Sequence, residues 1–143
     1  MNSNPNDPCE PKPGGELIMV VDDEAAICKI TDIILMRNGY QALTASSGAE
    51  ALSAYMHRDG EIKVVLTDVT MPGMDGVALI RALRRFNPLV RIIASTGQAD
   101  EARMADLRSL AVSGMIAKPY DSRKLLTTLR QILDAPDGAV QKF

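Results

Sequence analysis

The stretch Ile18-Met19-Val20-Val21-Asp22-Asp23-Glu24 runs an apolar segment directly into three acids. An apolar run without alternation reads as a strand covered on both faces. Carboxylates repel one another at close range and resist leaving water. Three of them at the mouth of a buried strand therefore call for a compensating partner, and a cation is the simplest one.

The same kind of short apolar run returns near residues 41–45, 64–67, 91–95 and 114–117. Each is strand-length and several are rich in β-branched residues. Helical spacing lies between them. It joins Ile27, Ile30, Ile34 and Leu35, then Ala49, Leu52 and Met56. It continues through Val77, Ile80 and Leu83 with Arg84 facing outward, then Met104, Leu107 and Ala111, and ends with Leu125, Leu129, Ile132 and Leu133. Asp121 or Ser122 can cap the last helix. Five strand–helix units in alternation imply an α/β fold, a doubly wound five-stranded parallel sheet with helices on both faces.

The chain has 143 residues, enough for one domain with a sizeable core. Its formal net charge of -2 gives no general attraction to nucleic acid or an anionic membrane. No apolar run approaches a membrane span, and no signal-peptide pattern opens the chain. Cys9 and Cys28 are too few and too scattered for a disulfide framework or a cysteine zinc site. The expectation is a soluble, cytoplasmic protein with no direct nucleic-acid binding and no membrane insertion. Residues 1–15 carry Pro5, Pro8, Pro11 and Pro13 and end in paired glycines, which reads as a disordered tail or linker. The folded domain is expected over 16–134, with a loose tail over 135–143.

Open sheets of this type place their sites at the carboxyl ends of the strands. Strand one ends at Asp22 and Asp23, strand three at Asp68, strand four at Thr96 followed by Gly97, and strand five at Lys118. Three carboxylates, a hydroxyl and an ammonium share one rim. A hard divalent cation such as Mg²⁺ takes oxygen ligands and usually keeps waters. Asp22, Asp23 and Asp68 suit it, with a backbone carbonyl just after Asp68 as a further ligand. Lys118 and Thr96 need another explanation. A carboxylate can attack phosphorus to form an acyl phosphate. The cation, a lysine and a hydroxyl would then share the charge of the incoming phosphoryl group. Gly97 would leave room beside it, and a cis peptide bond before Pro119 would suit a tight turn. Nothing here suits acyl hydrolysis, because no Ser–His pair exists and His57 lies on a helix away from the rim.

Simpler readings stand beside these. Asp22 and Asp23 could cap the first helix. Asp68 could be a loop acid, Lys118 a structural ion-pair partner and Thr96 a β-branched strand end. Asp75-Gly76 reads as turn chemistry and a helix start, Met115 as core, and Tyr120 as a packed aromatic. His57 and the Arg81, Arg84 and Arg85 cluster read as solvated surface.

The motifs VVDDE, TDVTMPGMDG, ASTG and AKPY, in that order, resemble a response-regulator receiver domain of two-component signalling over roughly residues 16–134. The resemblance implies a flavodoxin-like fold with strand order 2-1-3-4-5. It implies Asp68 as the phosphoacceptor, with Asp22 and Asp23 binding Mg²⁺ and Asp23 the more direct ligand. The main-chain carbonyl of Thr70 completes the protein ligands. Thr96 and Lys118 contact the phosphoryl group and report its presence. Thr70 and Gln98 occupy the positions that tune dephosphorylation, with Gln98 orienting the water. Met115 departs from the family pattern, where an aromatic commonly swings in behind the threonine.

By the same resemblance the donor is a phosphohistidine on a sensor histidine kinase or a histidine phosphotransfer protein. The response surface is the fourth helix, fifth strand and fifth helix, and a homodimer is left open. The chain is expected to catalyse its own phosphorylation and dephosphorylation and no other reaction. Its short C-terminal stretch leaves no room for a helix-turn-helix output domain, so a single-domain regulator, a phosphorelay shuttle or the C-terminal receiver of a hybrid sensor histidine kinase are the expected contexts. Three rivals fit less well. An aspartate-nucleophile phosphatase needs a second acid where Thr70 stands. A nucleotide binder would not line its first loop with Asp22, Asp23 and Glu24. A degenerate receiver acting as a phosphorylation-independent docking module would be expected to lack part of the set that this chain has whole.

Overall fold

The computed structural model describes residues 15–58, 60–97 and 101–135. Ten elements alternate along it: β1 (Leu17–Val21), α1 (Ala25–Arg37), β2 (Gln41–Ala45), α2 (Gly48–His57), β3 (Ile62–Asp68), α3 (Gly76–Phe86), β4 (Ile92–Thr96), α4 (Glu101–Ser109), β5 (Gly114–Ala117) and α5 (Ser122–Asp134). All strand pairs are parallel and the sheet order is β2-β1-β3-β4-β5, as expected.

The uninterrupted apolar runs have a simple cause. Met19 and Val21 point into one core, beneath α2, α3 and α4, while Ile18 and Val20 point into the other, beneath α1 and α5. A strand with both faces covered has no wet side on which to place polar residues. The order also sets the site. The sheet grows from β1 outward to β2, then back across to β3, so the crevice of reversal opens between the carboxyl ends of β1 and β3. Asp22 immediately follows one of those strands and Asp68 ends the other.

Helix faces depart from the spacing in three places. In α1 the residues turned inward are Cys28, Thr31 and Leu35, while Ile30 is 56% and Ile33 43% exposed. Apolar residues occur around most of that helix, so periodicity does not single out a face and packing against the sheet decides it. In α2 the inward residues are Ala51 and Tyr55, and Met56 faces outward. Arg84 does not face outward. Its guanidinium is half-buried and donates to the carbonyls of Ala111 (2.8 Å) and Pro88 (3.2 Å), tying the end of α3 to the α4–β5 connection. Ala111 itself lies past the end of α4, in a left-handed conformation (φ 53°). Asp121 caps α5 as expected, accepting from the Lys124 amide at 2.7 Å.

Candidate functional site

Each acid reaches the rim by a local rule. Asp22 leaves β1 with its amide still paired to the Ala45 carbonyl (3.1 Å), and its Oδ1 accepts from the Glu24 amide (2.9 Å). The side chain is thereby aimed across the crevice and is 2% exposed. Asp68 ends β3, 6% exposed, with Oδ1 accepting from the Thr70 amide at 3.1 Å. Asp23 stands beside them in solvent. One oxygen from each of Asp22, Asp23 and Asp68 lies within 4.8 Å of the others.

Lys118 answers the two buried acids. Its ammonium donates to Asp22 Oδ2 at 2.9 Å and to Asp68 Oδ2 at 3.2 Å, with Glu24 at 3.8 Å. Its own amide donates to the Thr96 carbonyl (2.8 Å), which places the ends of β4 and β5 side by side. The Lys118–Pro119 bond is cis, as anticipated. Burial alone would lower the lysine's pKa, but the hydrogen bonds and charges of Asp22 and Asp68 prevail and push it up to about 12. Burial pushes the Asp68 carboxyl above the ordinary aspartate value. Bonds from Thr70 and Lys118 return only part of that shift, and the charge of Asp22 adds to it.

Asp68, Thr70, Gly97 and Lys118 open onto one groove of about 780 Å³ whose far wall is apolar, built from Ile27, Ile30 and Ile34 of α1 with Pro119 and Tyr120. Asp22, Asp23, Asp68, Thr70 and Lys118 lie together at this rim, and Thr96 ends β4 beside it, joined to Lys118 through its backbone carbonyl. Gln98 lies outside the described residues. Met115 is half-buried on β5 and packs against the core beneath α2–α4, in agreement with its reading as core. His57 is exposed at the end of α2, its Nδ1 within 2.8 Å of the Ser53 carbonyl. Asp75 is the α3 cap, accepting from the Ala78 amide at 2.9 Å.

Several supporting residues carried no sequence signal of their role. Gly76 lets the start of α3 close on the strand end that bears Asp68. A Cβ there would collide with the Asp68 carbonyl and come within 2.7 Å of Val69 Cα. Gly48 does the same for α2, where a Cβ would lie 2.8 Å from the Met74 carbonyl. Two helices are thus packed tightly around the loop after Asp68. Gly97, by contrast, faces open space, so the room beside Asp68 does not depend on its lacking a side chain. Arg103 of α4 donates to Asp75 (3.1 Å) and to the Val69 carbonyl (3.3 Å), the residue next to Asp68.

The acids fit a hard cation. Two oxygens bound to one Mg²⁺ at about 2.1 Å stand at most about 4.2 Å apart, so the observed cluster needs only slight closure. All donors are oxygens, and the exposed Asp23 leaves a side open for water.

The sequence and the fold are similar to those of known proteins. The response regulator receiver domain family matches residues 18–130. The chain is 35% identical over 124 residues to the sensor kinase CckA of Brucella abortus, an alignment covering 87% of this chain and 13% of that protein. It is 26% identical over 118 residues to the chemotaxis protein CheY of Bacillus subtilis, covering 82% and 97%. Among solved structures, the CheX–CheY–BeF₃–Mg²⁺ complex of Borrelia burgdorferi superimposes with a TM-score of 0.78 at 27% identity, covering 83% of this chain and 90% of that one. The chain spans nearly all of CheY but only a small part of CckA. It belongs to the response regulator receiver domain family, the phosphoacceptors of two-component signalling. Among the described residues no helix is long and apolar enough to cross a membrane.

Proposed function

We propose that Asp68 is the phosphoacceptor and that a phosphohistidine is its donor. The observation that carries this is the shared rim. A buried carboxylate at the end of β3 has an ammonium on one oxygen and a metal-competent acid pair beside it. An Asp68 oxygen forms a bond to phosphorus as the P–N bond to the donor imidazole breaks. Asp22, Asp23, Asp68 and the Thr70 carbonyl would hold Mg²⁺, with Asp23 the more direct ligand of the first two. The ion would neutralise charge developing on the phosphoryl oxygens. Thr96 and Lys118 take the remaining oxygens. The metal assignment is supported by the cluster and by the Mg²⁺ named with the Borrelia CheY complex.

The partner is a sensor histidine kinase or a histidine phosphotransfer protein, docking where the apolar wall of α1 meets the acids. Ile30 stands 56% exposed in that wall beside Ile27 and Ile34, which suits a partner's apolar helix face. The response surface is α4, β5 and α5. Of the nine residues of α4 only Leu107 is fully buried, and Arg103 bonds the helix to the loop after Asp68. A light packing with that tie favours movement of α4 when the loop changes. A domain over 16–134, a cytoplasmic setting, self-dimerisation and an origin in a hybrid kinase belong to the same proposal.

Two measurements test it. Phosphoryl gain from a phosphorylated donor should stop when EDTA removes Mg²⁺, and Asp23→Asn should raise the Mg²⁺ needed by about tenfold or more. Uptake indifferent to EDTA would remove the metal. Gln98 is proposed to orient the attacking water in dephosphorylation, so decay of the phosphoryl group should slow in Gln98→Ala. An unchanged decay rate would take that residue out of the mechanism.

A further inference from the structure

Thr31 is a polar residue in an apolar position. It faces inward from α1 between Cys28 and Leu35 and is 1% exposed. A buried hydroxyl is costly unless it is paired. Its partner here lies across the molecule: Thr31 Oγ1 and the Tyr120 hydroxyl are 2.9 Å apart, 89 residues distant in sequence. Tyr120 lies two residues beyond Lys118, in the short connection between β5 and α5, with its ring packed on the α1–α5 core.

The β1–α1 segment and the β5–α5 connection are therefore braced at two points. One is ionic, Lys118 to Asp22 at 2.9 Å. The other is neutral, Tyr120 to Thr31. The two will not respond alike to the proposed reaction. A divalent cation competes for the carboxylates that now hold the ammonium, and a phosphoryl group on Asp68 gives that ammonium a new anion. The ionic point must rearrange. The neutral point involves no charged group and has no reason to.

We infer that Tyr120 and Thr31 form a positioning pair that keeps the Lys118 segment registered against α1 while its ammonium exchanges carboxylate for phosphoryl oxygen. Tyr120 touches neither Asp68 nor the ammonium by hydrogen bond and acts through the backbone of the Lys118-Pro119-Tyr120 turn. Because Tyr120 also lines the groove beside Ile27 and Ile34, the pair joins the wall that faces the partner to the lysine that faces the phosphoryl group. This inference rests on the function proposed above.

Tyr120→Phe and Thr31→Val each remove the bond while keeping the buried shape, and the double variant closes a cycle. The readouts are the Mg²⁺-dependent rate of phosphoryl gain from acetyl phosphate and the ¹⁵N resonance of the Lys118 ammonium, assigned by its absence in Lys118→Ala. Each single variant should slow uptake about fivefold, the worth of one ordinary hydrogen bond. The double variant should be no slower than either single, and the Lys118 resonance should shift or broaden in all three. Slower uptake with an unmoved resonance would overturn the inference, because the role would then lie at the groove wall. Rates within about twofold of wild type, or a double variant as slow as the product of the singles, would overturn it as well. Failure of the wild type to gain phosphoryl would instead strike the proposed function, and the lysine resonance would still decide whether the pair positions Lys118.

Discussion

Asp68→Asn should gain no phosphoryl group from acetyl phosphate or from a phosphorylated partner, and it should remain folded. The substitution removes the nucleophile and little else. The amide oxygen can still accept the Thr70 N–H bond that Asp68 Oδ1 accepts at 3.1 Å. Lys118 retains Asp22 at 2.9 Å. The asparagine also escapes the burial that pushes the Asp68 carboxyl upward. Lost ion pairing and relieved desolvation oppose each other, so stability should stay within about 1 kcal/mol of wild type. Intact mass reads the uptake and a thermal melt reads the stability. A loss of uptake accompanied by unfolding would not count in favour of the assignment, which is why both are needed.

Lys118→Ala should show the opposite balance, a large loss of stability together with a loss of response. Asp22 and Asp68 are both buried, and each accepts from the same ammonium through one oxygen. Without it two carboxylates face each other with no counter-charge. Removing one partner of a buried ion pair costs about 3–5 kcal/mol. Lys118 is partly open to water, so the lower end applies, and a domain of this size should melt on the order of 10 °C lower. The distinguishing feature is rescue. Millimolar Mg²⁺ supplies the missing positive charge at the same carboxylates, so it should raise the melting temperature of Lys118→Ala more than that of wild type. Equal shifts would mean that Lys118 and the ion do not share those acids. Even when loaded with phosphoryl, the variant should fail to change its α4–β5–α5 surface. Normal signalling by Lys118→Ala would contradict the role given to the lysine.

The sheet and the rim were readable because one physical fact produces both. A parallel strand covered on both faces must be apolar throughout, and its polar residues are pushed to its end. The residues after IMVV, LT, AS and MIA are therefore the ones that meet in space. Their chemical types, acid against acid against ammonium, then narrow the chemistry. Helix orientation was less legible. The apolar residues of α1 occur on most of its sides, and only packing chose Cys28, Thr31 and Leu35 over Ile30. Arg84 reads as surface by type, yet two carbonyls lie within reach and draw it inward. The Thr31–Tyr120 bond and the Arg103 tie to Val69 join residues far apart in the chain, and nothing in local composition marks either. Gly76 was readable as a helix start but not as the point where α3 closes on Asp68, since that depends on how the helix lies against the sheet.

The most direct test of the account is to locate the phosphoryl group in the wild type. The protein would be loaded with acetyl phosphate and Mg²⁺, then treated with borohydride, which reduces an aspartyl phosphate to homoserine that peptide mass mapping can place. The expected result is homoserine at position 68 alone, absent when EDTA is present during loading. Homoserine at Asp22 or Asp23, or no phosphoryl gain while Mg²⁺ is bound, would contradict it.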